Sequence, residues 1–152
     1  MTRRTFRHGR HAERGSMLLE MAMTLPLLLL VSVAIFELGR AYQTQQILTN
    51  AAREGARLAV LPGSSADTIR TRVRQYLAQG QLTNASTAEV NINTTATIPM
   101  GVANVSASVV TVNYPYEFMV LGPVARLVVA DSTLGAPILL TAASEMRNET
   151  QF

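Results

Sequence analysis

The sequence predicts an α+β protein: a long N-terminal helix, half in a membrane and half outside, leading into a small domain. That domain is expected to hold a short helix and a three- to four-stranded antiparallel sheet. Three observations carry the prediction. One apolar run near the N-terminus is long enough to span a bilayer. Helical periodicity continues past it to a Pro-Gly stop. The remainder holds β-branched alternating segments separated by turn residues.

The apolar run is Met17–Phe36, MLLEMAMTLPLLLLVSVAIF, with a single charge in 20 residues. At about 1.5 Å per residue it reaches roughly 30 Å, the thickness of a bilayer core. The flanks are asymmetric. Arg3, Arg4, Arg7, Arg10 and Arg14 precede it against one acid, Glu13. An arginine excess marks the cytoplasmic side, which places the N-terminus inside and the body outside. The expected division is a basic, disordered leader over 1–15, a span over 16–36, a helical extension over 37–61 and an extracytoplasmic domain over 62–152. An ordinary secretory signal is the competing reading, with Ser32-Val33-Ala34 as a small-residue cleavage site. Glu20 and the length of the run argue against it.

All 13 basic residues are arginine, and the formal net charge is +3. Removing residues 1–15 leaves eight basic and nine acidic side chains, so the basicity belongs to the leader. A nucleic-acid partner would need a basic face on the folded body, and none is expected. There is no cysteine, and both histidines, His8 and His11, lie in the leader. A metal site on two leader histidines is not expected. The acids of the body show no paired-carboxylate or metal-ligand spacing, and its glycines form no phosphate loop. The expectation is therefore no enzyme, no cofactor and no metal. Four Asn-x-Ser/Thr triplets, at Asn84, Asn93, Asn104 and Asn148, are what chance supplies in so Thr-, Asn- and Ser-rich a chain.

Two residues of the run are out of place in hydrocarbon. Pro26 removes a backbone donor and predicts a bend. Glu20 puts a carboxylate about 6 Å along the helix from Ser16. An intramembrane acid pairs with something and marks function more often than not. The helix then runs on through ELGRAYQTQQILTNAAREGARLAVL, residues 37–61. Ala41, Gln45, Leu48, Ala52, Gly55, Ala56 and Ala59 line one narrow face of small residues, and Pro62-Gly63 ends it. Glu37, Arg40, Arg53, Glu54, Gly55 and Arg57 are candidates for packing and ion pairing on this helix. Arg53 and Arg57 share a face, and Glu54 is spaced to pair with Arg57. Gly55 costs about 1 kcal/mol against alanine in a helix interior, which asks for a packing reason.

In the body, Ser64-x-x-Asp67 is a weak capping box before a second helix. Ile69, Val73, Tyr76 and Leu77 form its apolar face, and Gly80 is its stop. Arg70, Arg72 and Arg74 are expected on a solvated face. Residues 81–88 read as a polar linker. Val90, Ile92 and Thr94 alternate in one strand, and Val105–Tyr114 forms another, which Pro115 is expected to end. The apolar segment YEFMVLGPVARLVV is too short for a second span. It reads as a connection or short helix on the sheet, or resting at the membrane surface. Ile138–Met146 is the last strand, and 147–152 a frayed end.

Taken in order, these elements resemble a known family. Gly15 closing a basic leader, Ser16, and Glu20 as the fifth residue from the cut resemble the processing site of type IV prepilins. The further wording GSMLLEMAMTLPLLLL, then FELGR, then NAAREGARLA resembles TadE-like pseudopilins of the tight-adherence (Tad/Flp) pilus system. Gly15, Glu20, Pro26, Glu37, Gly39, Arg40 and the run Ala51–Arg57 fall in place, while Met21 stands where an aromatic is usual. The resemblance implies a pilin-like domain and cutting between Gly15 and Ser16 by a prepilin peptidase. It implies a new Ser16 amine that a neighbour's Glu20 carboxylate could meet. The implied partners are other pseudopilins, the Flp pilin, the inner-membrane assembly platform and lipid, and the implied role is assembly of an adhesive pilus. The alternatives are a single-pass membrane-anchored periplasmic binding module and a pseudopilin of another secretion branch.

Overall fold

The computed structural model describes residues 10–100, 103–128, 133 and 135–148. The chain divides into two compact units, Met1–Phe36 and Glu37–Phe152. Helix α1, Arg10–Ala59, contributes to both. In the second unit follow α2 (Ala66–Gln79), a 3₁₀ turn (Ala85–Thr87), β1 (Glu89–Met100), β2 (Ala103–Tyr116), α3 (Leu121–Val128) and β3 (Ile138–Arg147). The strands form one antiparallel sheet in the order β1-β2-β3. The α+β class and the long leading helix are those expected, with three strands among the described residues.

Helix α1 starts earlier than expected. Residues 10–15 belong to the leader expected to be disordered, yet the helix begins at Arg10. Arg, Ala and Glu are good helix formers, and no proline intervenes before Pro26. Residues 1–9, with His8, lie outside the described residues. Helix α1 also runs through Pro26 without interruption. At the other end α1 stops at Ala59, two residues before the expected Leu61. Leu61 precedes Pro62, which disfavours the helical conformation, and Gly63 takes φ +80° to turn the chain.

The second unit is built around the small-residue face of α1. Leu48, Ala51, Ala52 and Ala56 from α1 pack with Ile69, Val73 and Leu77 from α2 and with Val90, Val110, Val112 and Ala142 from the sheet. Alternation places one side of each strand in this core. The other side mixes apolar residues such as Val109 with polar ones, and where β1 begins it carries a three-strand polar row. Asn113 donates to Glu89 at 3.3 Å, and Thr141 donates to Asn113 at 2.9 Å, all three being register partners.

Local chemistry explains where elements start and stop. Helix α2 is capped by Ser65, whose hydroxyl accepts from the Thr68 amide at 3.2 Å. The expected cap was Ser64. The one-residue shift follows from the helix beginning at Ala66, which leaves Ser65 with the extended backbone (ψ 152°) a cap requires. At its end Gly80 keeps φ −73°, and the left-handed residue is Gln81 at φ +60°. A Cβ on Gly80 would lie 2.7 Å from Ile47 Cγ2, so packing against α1 asks for the glycine there.

Pro115 does not end β2. The strand continues through Tyr116, pairing Pro115 with Leu139 and Tyr116 with Ile138. Strand β1 has already stopped opposite Asn113, so the missing proline amide faces no partner strand on that side. In β1 the register shifts between Asn93 and Ala96. Asn93 accepts from the Thr95 amide at 3.0 Å within this bulge. Asn148 clamps it from β3's end, donating to the Thr94 carbonyl at 3.2 Å and accepting from the buried Ser108 hydroxyl at 2.7 Å. Asn148 thus has an ordered role where a frayed end was expected; residues 149–152 lie outside the described residues.

Candidate functional site

Two regions carry the polar groups that the fold alone does not explain. The first is the apolar part of α1. From Met17 to Phe36 every side chain is exposed except Val33 and Ala34, which are half-buried. The helix is a candidate membrane span: its most apolar 18-residue window has mean hydropathy 2.2 and no buried residue. Its hydroxyls are satisfied internally. Thr24 donates to the Glu20 carbonyl at 2.9 Å, and Ser32 donates to the Leu28 carbonyl at 2.8 Å. Such bonds to the preceding turn lower the cost of a hydroxyl in hydrocarbon. The Glu20 carboxylate is different. It is exposed and has no ion-pair partner among the described residues. Gly15 and Ser16 both lie in the helix and are exposed, with nothing within 4 Å of a Cβ built on Gly15.

The second region surrounds Glu37, at the start of the Glu37–Phe152 unit. Its side chain is 1% exposed. One carboxylate oxygen accepts from the Val120 amide at 2.6 Å and the other from the Met119 amide at 3.3 Å. Those amides lead directly into α3, whose first helical residue is Leu121. A carboxylate at a helix N-terminus satisfies free donors and meets the positive end of the helix dipole. Pro123 sits in the first turn of α3, where its missing N–H breaks no helical bond. Arg40, one turn along α1, places Nη1 3.9 Å from Glu37 Oε2; this nitrogen is buried and makes no hydrogen bond. Its contribution to Glu37 is thus one of charge rather than of directed bonding.

Tyr116 closes this cluster. Its hydroxyl donates to the Glu37 backbone carbonyl at 3.3 Å, and its ring meets Phe118 edge-on with centroids 5.4 Å apart. Burial pushes the Tyr116 phenol above its ordinary value of 10.0; nearby Arg40 opposes the shift, while Glu37 and Tyr114 add to it. A cleft of about 370 Å³ opens beside Arg40, Tyr114 and Phe118. Among the described residues no group of three or more His, Asp or Glu side chains comes together.

The run Ala51–Arg57 resolves into distinct jobs. Ala51, Ala52 and Ala56 are fully buried. Gly55 lies where a Cβ would approach Val73 Cγ2 to 2.7 Å and Val110 Cγ1 to 3.0 Å. Glu54 does not pair with Arg57. Arg72 on α2 reaches it instead, with Nη2 3.2 Å and Nε 3.3 Å from Oε1. Docking of α2 brings Arg72 beside Glu54, and a guanidinium approaching with two nitrogens is a stronger partner than a single contact along one helix. Arg53 and Arg57 are exposed, as is Arg74 on α2. Sequence reasoning missed the Met119 and Val120 amides as partners of Glu37. It put Gln45 on the small-residue face but missed its partner, the Thr141 carbonyl of β3, to which the side-chain amide donates at 2.9 Å. Both partners lie far along the chain and carry no side-chain signal, because they are backbone groups.

These features define an α+β protein led by a candidate membrane span, with a buried carboxylate organising the start of its second unit. The family model described as TadE-like protein matches residues 15–57. The match covers less than a third of the chain and holds Gly15, Glu20, Pro26, Glu37, Arg40 and the Ala51–Arg57 run. No curated protein and no solved structure matches it.

Proposed function

We propose that the protein is a TadE-like minor pseudopilin that supports assembly of a Tad/Flp pilus and works by protein–protein packing rather than catalysis. In this reading residues 16–36 cross the bacterial inner membrane with the N-terminus in the cytoplasm, and a prepilin peptidase cuts between Gly15 and Ser16. The observation that carries it is the TadE-like match beginning at Gly15. The Glu20 carboxylate, exposed on an apolar helix with no ion-pair partner among the described residues, adds to it. Once the leader is gone, a Ser16 amine and a neighbouring subunit's Glu20 have opposite charges in a low-dielectric setting, where attraction is strong. Glu20 then acquires a partner only when subunits associate. The other pseudopilins, the Flp pilin and the assembly platform are the surfaces against which this helix would pack.

Mass spectrometry of the protein extracted from membranes tests the reading. A chain beginning at Ser16 is expected in cells with an active prepilin peptidase. A chain still beginning at Met1 in those cells refutes processing and leaves an uncut membrane-anchored binding module. A chain beginning at Ile35 points to a secretory signal. Glu20→Ala is expected to insert normally yet impair piliation; normal piliation removes the role assigned to Glu20.

A further inference from the structure

Most exposed apolar side chains of the Glu37–Phe152 unit lie toward one end; Leu61, 50% exposed just past the end of α1, is the exception. Met119 is 63% exposed and Leu139 65%, with Val124 and Ile138 also exposed. All four belong to the end of the unit that Glu37 holds. The Met119 amide is bonded to the Glu37 carboxylate, and Val124 follows on α3. Ile138 and Leu139 are the register partners of Tyr116 and Pro115, and the Tyr116 hydroxyl is bonded to the Glu37 carbonyl. Leu38, next to Glu37 in the chain, is 66% exposed. The hairpin end of the same sheet, about 30 Å away along β2 at about 3.3 Å per residue, exposes Thr95, Thr97, Asn104 and Ser106.

Glu37 directly follows Phe36, the last residue of the apolar run. Groups bonded to Glu37 are therefore within one side-chain length of the point where that run ends. We propose that this apolar end is a membrane-contact surface, with Met119, Leu139 and the start of α3 seated in the headgroup region of the bilayer that residues 16–36 cross. The proposal rests on the membrane-span reading. Phe36 and Glu37 are neighbours in the chain, so in that reading the bilayer is the apolar phase to which this end is tethered, whereas a protein partner would have to arrive. The flanking chemistry fits an interface: Tyr42 is exposed one turn beyond Leu38, and the exposed Arg126 supplies a cation suited to lipid phosphates.

The absence of cysteine makes site-directed spin labelling clean. The full chain would be reconstituted in phosphatidylethanolamine–phosphatidylglycerol vesicles with one nitroxide at Leu28→Cys, Met119→Cys, Leu139→Cys or Thr97→Cys. Collision with oxygen, which enters lipid, is compared with collision with a water-soluble nickel chelate. Leu28 is expected deep in lipid and Thr97 in water. Met119 and Leu139 are each expected to show an oxygen-to-nickel ratio several-fold above that of Thr97. If Leu28 is deep but Met119 and Leu139 match Thr97, the contact surface is overturned and the span stands. If Leu28 also matches Thr97, both are overturned. Protection of Met119 and Leu139 that disappears in large lipid excess assigns the surface to a second copy of the chain and overturns the lipid contact.

Discussion

Gly55→Ala sets two opposing effects against each other. In an exposed helix the change would be favourable by about 1 kcal/mol. Here the new Cβ lies 2.7 Å from Val73 Cγ2 and 3.0 Å from Val110 Cγ1. Both valines are fully buried, one on α2 and one on β2, the middle strand of the sheet. Neither can step aside without moving its element, and overpacking of this kind costs about 1–3 kcal/mol. The packing cost cancels or outweighs the propensity gain, leaving a net loss of up to about 2 kcal/mol, at roughly 4 °C in melting temperature per kcal/mol for a unit of this size. Thermal unfolding of the full chain in detergent, followed by tyrosine fluorescence, measures it. The Val73→Ala background separates the terms: with Cγ2 removed, Gly55→Ala should regain most of its helix-propensity benefit. A single Gly55→Ala variant that is stabilised by about 1 kcal/mol refutes the close packing of α1 on α2 and β2.

Other perturbations probe the Glu37 cluster and the end of α2. Glu37→Ala strands the Met119 and Val120 amides and leaves the Arg40 charge uncompensated, so a loss of about 3–5 kcal/mol is expected in urea unfolding, with Glu37→Gln losing less. The raised Tyr116 phenol means that the native state holds its proton more tightly than the unfolded chain. Its contribution is complete below pH 10.0, the unfolded value, and is lost as pH climbs through the higher folded value. Tyr116→Phe should abolish that part of the alkaline loss of stability; an unchanged alkaline unfolding profile would remove the assignment. Gln81→Gly relieves a left-handed backbone at φ +60° and should stabilise by up to about 1 kcal/mol, whereas Gln81→Ala should not.

Local patterns in the chain announced most of the architecture. The apolar run, the small-residue face and the strands at Val90 and Val105–Tyr114 are short-range signals that tertiary packing reinforced. Misplacements arose where two local solutions were close in energy. Ser64 and Ser65 are both competent caps, and only the docked start of α2 selects the second. Glu54 had an obvious partner three residues on, yet Arg72 on α2 takes it. Glu37 is legible in the sequence as a candidate for packing and ion pairing, but its hydrogen-bond partners are backbone amides 82 and 83 residues away, which no side-chain pattern encodes. Likewise the cost of β2 continuing through Pro115 disappears only because β1 has already ended.

The contact between Gln45 and the Thr141 carbonyl, 96 residues apart, has a consequence for biogenesis. A chain made from its N-terminus completes α1 long before β3 exists to cover it. In that interval the face around Ala51, Ala52, Gly55 and Ala56 has lost the shelter it will have in the finished domain. Methyl groups and a bare backbone present far less sticky area than leucines would in the same positions. The residues that let α1 approach its neighbours closely in the folded state also make the waiting helix a poor nucleus for aggregation.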